Sequence, residues 1–143
     1  MDDTIRAALS RGGVIDITTT GRRSGEPRRI EIVFHRIAGR MWISGVPSPR
    51  RRGWIANLEA DPHLVVHLKG PAVVADLPAT ARIVGDPGER RQILDRVAQS
   101  WRRTDLEAMV ASSPLIEVTI EESTADRAGA SDAPTDERAQ PSS

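Results

Sequence analysis

The sequence predicts an α+β, mainly β fold: an antiparallel barrel of about six strands with helices packed at its side. Three observations carry this. Six short runs are rich in Val, Ile and Thr and are bounded by Gly, Pro and Asp turn residues. Helical spacing is confined to a few short segments. The chain has 143 residues, 38% of them apolar, enough for one domain with a modest core.

From the N-terminus, Thr4 to Ser10 reads as a short helix running into Arg11-Gly12-Gly13. Val14 to Thr20 is dense in β-branched residues and reads as a strand. Gly21 to Pro27 holds two glycines, a serine and a proline, which make a turn. Arg28 to Ile37 alternates Ile30, Ile32 and Phe34, the pattern of a half-buried strand. Ala38-Gly39-Arg40 is a tight connection into a return strand, Met41 to Ser44. Gly45 to Pro49 is a loop. Arg51 to Ala60 is a short helix with Trp54, Ile55 and Leu58 on one face, ended by Asp61-Pro62.

His63 to Lys69 reads as a strand, Gly70-Pro71 as a turn and Ala72 to Val84 as a longer, interrupted strand. Asp86-Pro87-Gly88-Glu89 is a helix start: Asp86 the N-cap, Pro87 the first helical residue, Glu89 the acid that reaches back. That helix runs to about Arg103, with Ile93, Leu94, Val97 and Trp101 at helical spacing. A helical turn covers Asp105 to Val110, and Pro114 to Glu121 is the last strand. Beyond Ser123 no large apolar residue occurs, so residues 1–122 are expected to form the barrel domain and 123–143 a disordered acidic tail.

No cysteine is present, which excludes disulfides and thiolate chemistry. No signal-peptide pattern and no apolar run approaching ~20 residues appears, so the expectation is a cytoplasmic protein without an integral membrane segment. His63 and His67 fall on one strand face but about 13 Å apart, so no metal site is expected. Neither a P-loop nor a Gly-x-Gly-x-x-Gly fingerprint occurs.

The formal net charge is zero, but the charge is segregated. Residues 18–52 hold nine arginines against two glutamates, a local +7, and residues 121–143 hold six acids against two arginines, a local −4. Tyrosine is absent and Phe34 is the only phenylalanine, which disfavours base-stacking platforms. A nucleic-acid partner is therefore not expected.

Two segments carry candidate chemistry. In Thr19 to Arg28, a glycine-bearing turn lets backbone N–H groups converge on an anion, while Arg22, Arg23, Ser24, Gly25 and Arg28 add forked charged donors and a hydroxyl. In Ser44 to Trp54, the small residues Ser44 and Gly45 permit close approach of a flat ligand. Arg50, Arg51 and Arg52 precede a helix start, and Trp54 can edge a ring system. Taken singly, each segment reads more readily as a solvated hairpin or as a loop over a core tryptophan.

Taken together they resemble the deazaflavin-dependent nitroreductase family, whose members have a split β-barrel fold. The family pattern is Thr-Thr, Gly-Arg-Lys/Arg-Ser/Thr-Gly and Pro-Arg, then a small-residue loop, Trp-Tyr-x-Asn-Leu and Ala-x-Pro-x-Val. Here it stands as Thr19-Thr20-Gly21-Arg22-Arg23-Ser24-Gly25-Glu26-Pro27-Arg28, Ser44-Gly45, Trp54-Ile55-Ala56-Asn57-Leu58 and Ala60-Asp61-Pro62-His63-Leu64-Val65. The resemblance implies coenzyme F420, whose tail carries a phosphate and glutamates, held by the arginines, with the Ser44 loop and Trp54 bordering the deazaflavin ring. It implies hydride transfer to a small organic acceptor (a quinone, enone or nitro compound), with no catalytic side chain assigned, and a homodimer. The chain departs from the pattern between Val46 and Ile55 and lacks the tyrosines some members place near substrate. The same residues leave open an FMN-binding oxidoreductase of this barrel type and a non-catalytic binder of a cofactor or an apolar ligand.

Overall fold

The structure is a computed structural model and describes residues 2–71 and 73–121. The acidic-tail expectation for 123–143 lies outside the described residues. The elements are α1 (Asp3–Arg11), β1 (Gly13–Thr20), β2 (Pro27–Ile37), β3 (Arg40–Ser44), α2 (Gly53–Ala60), β4 (His63–Lys69), β5 (Val74–Ile83), α3 (Pro87–Trp101), α4 (Leu106–Ser112) and β6 (Leu115–Ile120). The six strands close a barrel in the order β1-β2-β3-β6-β5-β4, every pairing antiparallel.

Local chemistry accounts for the boundaries. Ala38 and Gly39 both take positive φ, 54° and 76°, the backbone that a tight β2–β3 hairpin needs. Asp86 caps α3 by accepting from the Glu89 N–H at 2.9 Å, and Pro87 follows as first helical residue. The expected return contact from Glu89 is not made. Its carboxylate is taken by the Arg82 guanidinium of β5 at 2.6 and 3.1 Å, a charged fork that outcompetes a backbone N–H. The α2 helix starts at Gly53 rather than Arg51, because Arg52 is extended (φ −70°, ψ 146°). The α3 helix stops at Trp101, where Arg102 takes a left-handed conformation and its N–H bonds back to Ala98 and Gln99.

Two cores result. Inside the barrel, Ile15, Ile17, Phe34, Ile43, Leu64, Val66, Ile116 and Val118 meet Leu9 of α1 and Ile55 and Leu58 of α2. Outside it, Trp42, Ile37, Val84 and Leu115 pack against Ile93, Leu94 and Val97 of α3 and Met109 of α4. Trp42 is buried with its ring N–H donating to the Ile37 carbonyl at 3.1 Å. In the closed barrel, Thr19 lies opposite Arg28 and Ile17 opposite Ile30. That register puts the two β2 side chains on the inward face at one end of the barrel, beside α2.

Candidate functional site

The turn joining β1 to β2 is closed by its own backbone. The Gly21 N–H donates to the Glu26 carbonyl and the Gly25 N–H to the Gly21 carbonyl, both at 2.8 Å. Ser24 Oγ accepts from the Glu26 N–H at 3.1 Å and from Arg28 Nη2 at 3.4 Å. Gly21 is buried, and a Cβ there would lie 2.8 Å from Ser24 Oγ and 3.1 Å from the Glu26 carbonyl. Gly25 has φ of 74°, a conformation that favours glycine.

Asn57, buried in α2, locks this turn to the helix. Its Oδ1 accepts from the Arg22 backbone N–H at 3.1 Å and from Arg22 Nη1 at 3.3 Å, and its Nδ2 donates to Thr19 Oγ1 at 3.1 Å. Between turn and helix opens a cleft of about 430 Å3. Arg22, Arg23, Ser24 and Arg28 line its polar side, and Ile30 and Trp54 its apolar side. Arg22 and Arg23 have no carboxylate partner among the described residues, and Arg28 reaches Glu26 only at 3.9 Å across exposed surface. The cleft thus presents uncompensated cation beside a flat apolar wall. The lining contains no His, Asp, Glu, Lys or Cys, so the walls offer binding and orientation rather than a general acid or base.

The other residues singled out from sequence lie elsewhere. Gly25 faces a separate groove with Thr18, Thr20, Pro27 and His63. Ser44 is buried, its hydroxyl donating to the Pro114 carbonyl at 2.6 Å. Gly45 is backed by the Arg52 guanidinium, whose Nη2 donates to the Val46 carbonyl at 2.9 Å. Arg51 pairs with Glu59 at 2.7 Å. Arg50, Arg51 and Arg52 line a second cleft, on the far side of the α2 start. His63 and His67 pair with Asp61 and Asp76, at 2.8 and 2.7 Å respectively.

The sequence reading placed Thr19 in the candidate turn segment but did not single out Asn57 as a site-forming residue. A signal existed for Asn57: an amide side chain inside a helix competes with its backbone and needs a reason to be buried there.

The sequence model of the F420H(2)-dependent quinone reductase family matches residues 2–123. The chain belongs to this family. Its cofactor is the reduced deazaflavin F420. No curated protein matches the chain. Among solved structures, an F420 reductase is 17% identical with a TM-score of 0.62, covering 82% of this chain and 93% of its own. An F420-H2-dependent reductase of the FDR-A type is 22% identical with a TM-score of 0.54, covering 75% and 94%. The haem storage protein HutZ of Vibrio cholerae is 14% identical with a TM-score of 0.60, covering 83% and 89%. At these identities the likeness is one of fold, the split β-barrel. The residues of the turn cleft fit the family cofactor: guanidinium groups lacking carboxylate counter-ions, beside the apolar Ile30 and Trp54, suit a tail of phosphate and carboxylates joined to a ring system.

Proposed function

We propose that this family member is an enzyme that reduces a small organic acceptor, a quinone, an enone or a nitro compound, at the expense of reduced F420. The carrying observation is the convergence of Arg22, Arg23 and Arg28 on one cleft with an apolar wall. When bound, the deazaflavin supplies the hydride. In this reading Arg22, Arg23 and Arg28 would hold the anionic tail, Ser24 would donate its hydroxyl to it, and Gly21 lets the turn close tightly enough to bring them together. Asn57 fixes the Arg22 backbone and guanidinium through its Oδ1. Trp54 and Ile30 supply the apolar wall that would pack against the ring system and exclude water. The cleft lining holds no His, Asp, Glu, Lys or Cys, so no side chain of the cleft is assigned to deliver the proton that completes the reduction. Three guanidinium groups exceed the need of the single phosphate of FMN, which favours the deazaflavin. Arg50, Arg51 and Arg52 are not assigned to the tail, because they face the second cleft.

The test is fluorescence titration of the full chain with F420, FMN and haem. Saturable F420 binding is expected to weaken with added salt and with alanine at Arg22, Arg23 and Arg28 together. An unchanged affinity in the triple variant rejects the turn as the tail site, and binding of FMN without F420 rejects the reading itself. Oxidation of reduced F420 with menadione, cyclohexenone or a nitroarene tests turnover. Among the described residues no helix is long and apolar enough to cross a membrane. We infer a homodimer by family resemblance, and sedimentation equilibrium checks it.

A further inference from the structure

The β3–α2 loop and the α4–β6 junction enclose the second cleft, about 310 Å3, at the small end of ligand pockets. Its lining is mixed, with Ile55, Ile83, Val84 and Pro114 supplying the apolar part. Two guanidinium groups on its lining, Arg50 and Arg90, have no carboxylate partner among the described residues. The Arg90 guanidinium donates to the carbonyls of Val84, Met109, Val110 and Ser113 at 2.7–3.2 Å. That pins the end of α4, yet no carboxylate ion-pairs with Arg90 among the described residues, and its partial burial pulls its pKa below the ordinary value. Arg50 stands exposed, its guanidinium unpartnered among the described residues. Ser113 lines the same cleft and buries its hydroxyl without a hydrogen-bond partner. An orphaned buried hydroxyl asks for an explanation, and a ligand group is one.

We propose that this cleft binds a small aromatic carboxylate, separately from the turn cleft. The apolar part of the lining takes the ring. The carboxylate meets Arg50 and the field of Arg90, and the Ser113 hydroxyl turns about its Cα–Cβ bond to donate to it. A bare inorganic anion leaves that apolar part unfilled, and a neutral aromatic leaves the cations unmet. The proposal stands on the second cleft alone and is independent of what the turn cleft holds.

The experiment titrates the 15N-labelled full chain with 2-naphthoate and with 2-naphthamide. The naphthoate is expected to shift the amides of Gly85, Ser112 and Ser113 saturably and leave those of Arg22 and Ser24 in place. The amide is expected to bind about tenfold more weakly, lacking the charged hydrogen bonds. Arg50→Gln should weaken naphthoate by roughly fivefold, an exposed charge contributing modestly. Ser113→Ala should weaken it while Tm holds or rises, since the variant loses a hydroxyl that has no partner. No saturable shift at Ser113 overturns the proposal, as do shifts confined to Arg22 and Ser24, or equal affinities for acid and amide.

Discussion

Replacing Asn57 separates the architecture of the turn cleft from its charge. Asn57→Asp is nearly isosteric. The carboxylate still accepts from the Arg22 backbone and guanidinium, now 3.1 and 3.3 Å away across a charged pair, and Thr19 can rotate its hydroxyl to donate instead of accept. Stability should change by less than about 1 kcal/mol, because the lost Asn57–Thr19 geometry is offset by a stronger bond to Arg22. Binding should change more. The new negative charge cancels that of Arg22 for any anion in the cleft. One unit charge at ~6 Å is worth roughly 2–3 kcal/mol at an effective dielectric of about 20. Arg22 is exposed, so solvent screening reduces this to roughly 1–2 kcal/mol, a 5- to 30-fold loss in F420 affinity. Asn57→Ala should behave differently: it removes all of these bonds and leaves Thr19 buried with an unmet hydroxyl. That costs about 2–4 kcal/mol of stability and lowers affinity through a loosened turn. Fluorescence titration with F420 and thermal melts on both variants provide the readout. A folded Asn57→Asp protein that binds F420 as the parent does would refute the claim that Arg22 meets the tail.

Other outcomes rest on single contacts. Gly21→Ala places a methyl 3.1 Å from the Glu26 carbonyl and forces Ser24 aside, so it should cost about 1–2 kcal/mol and reduce F420 affinity; unchanged affinity would show that the turn has slack. His35 is buried beneath Trp101, ring centroids 5.2 Å apart, its Nε2 is unpartnered, and burial lowers its pKa below 6.5. Between that lowered value and 6.5 the unfolded chain holds a proton the folded chain lacks, so stability rises with pH. The contribution is full above 6.5 and is lost as pH falls toward the folded value, at most about 1.4 kcal/mol per pH unit. Thermal melts between pH 7.5 and 5.5 should show the loss, and His35→Phe should flatten it.

Most of the fold was legible because its signals are local. The β-branched run of β1, the Ala38-Gly39 turn and the Asp86-Pro87 cap each act within a few residues. Closure was not legible in the same way. The pairings of β1 with β4 and of β3 with β6 join strands far apart in sequence, and no local pattern encodes them. The site sits at another join of segments distant in sequence, the β1–β2 turn against α2. Arg28 and Arg29 are neighbours in sequence, yet strand alternation sends Arg28 to the cleft and Arg29 to the outer face, where it pairs with Asp16 at 2.9 Å. Asn57 acquires its role only when α2 is laid against the end of β1.

The local +7 of residues 18–52 therefore overstated the grip, and the structure shows how. Arg29, Arg40 and Arg51 meet carboxylates of Asp16, Glu117 and Glu59, and Arg52 holds a loop carbonyl. Such exposed pairs add little stability, but they remove charge that a ligand would otherwise feel. Arg36 is exposed on β2 and lines neither cleft; what remains for ligands divides across the first turn of α2: Arg22, Arg23 and Arg28 on the side of Trp54, Arg50 on the side of Ile55. One helix start thus separates two cationic clefts with different apolar partners. An anion with a long polar tail suits the first, and a compact aromatic acid suits the second. If instead a single elongated ligand bridged both, Arg50→Gln would weaken F420 as strongly as loss of Arg23 does. The division into two clefts requires that it leave F420 affinity within about twofold of the parent, the range expected of a charge that makes no contact with the tail.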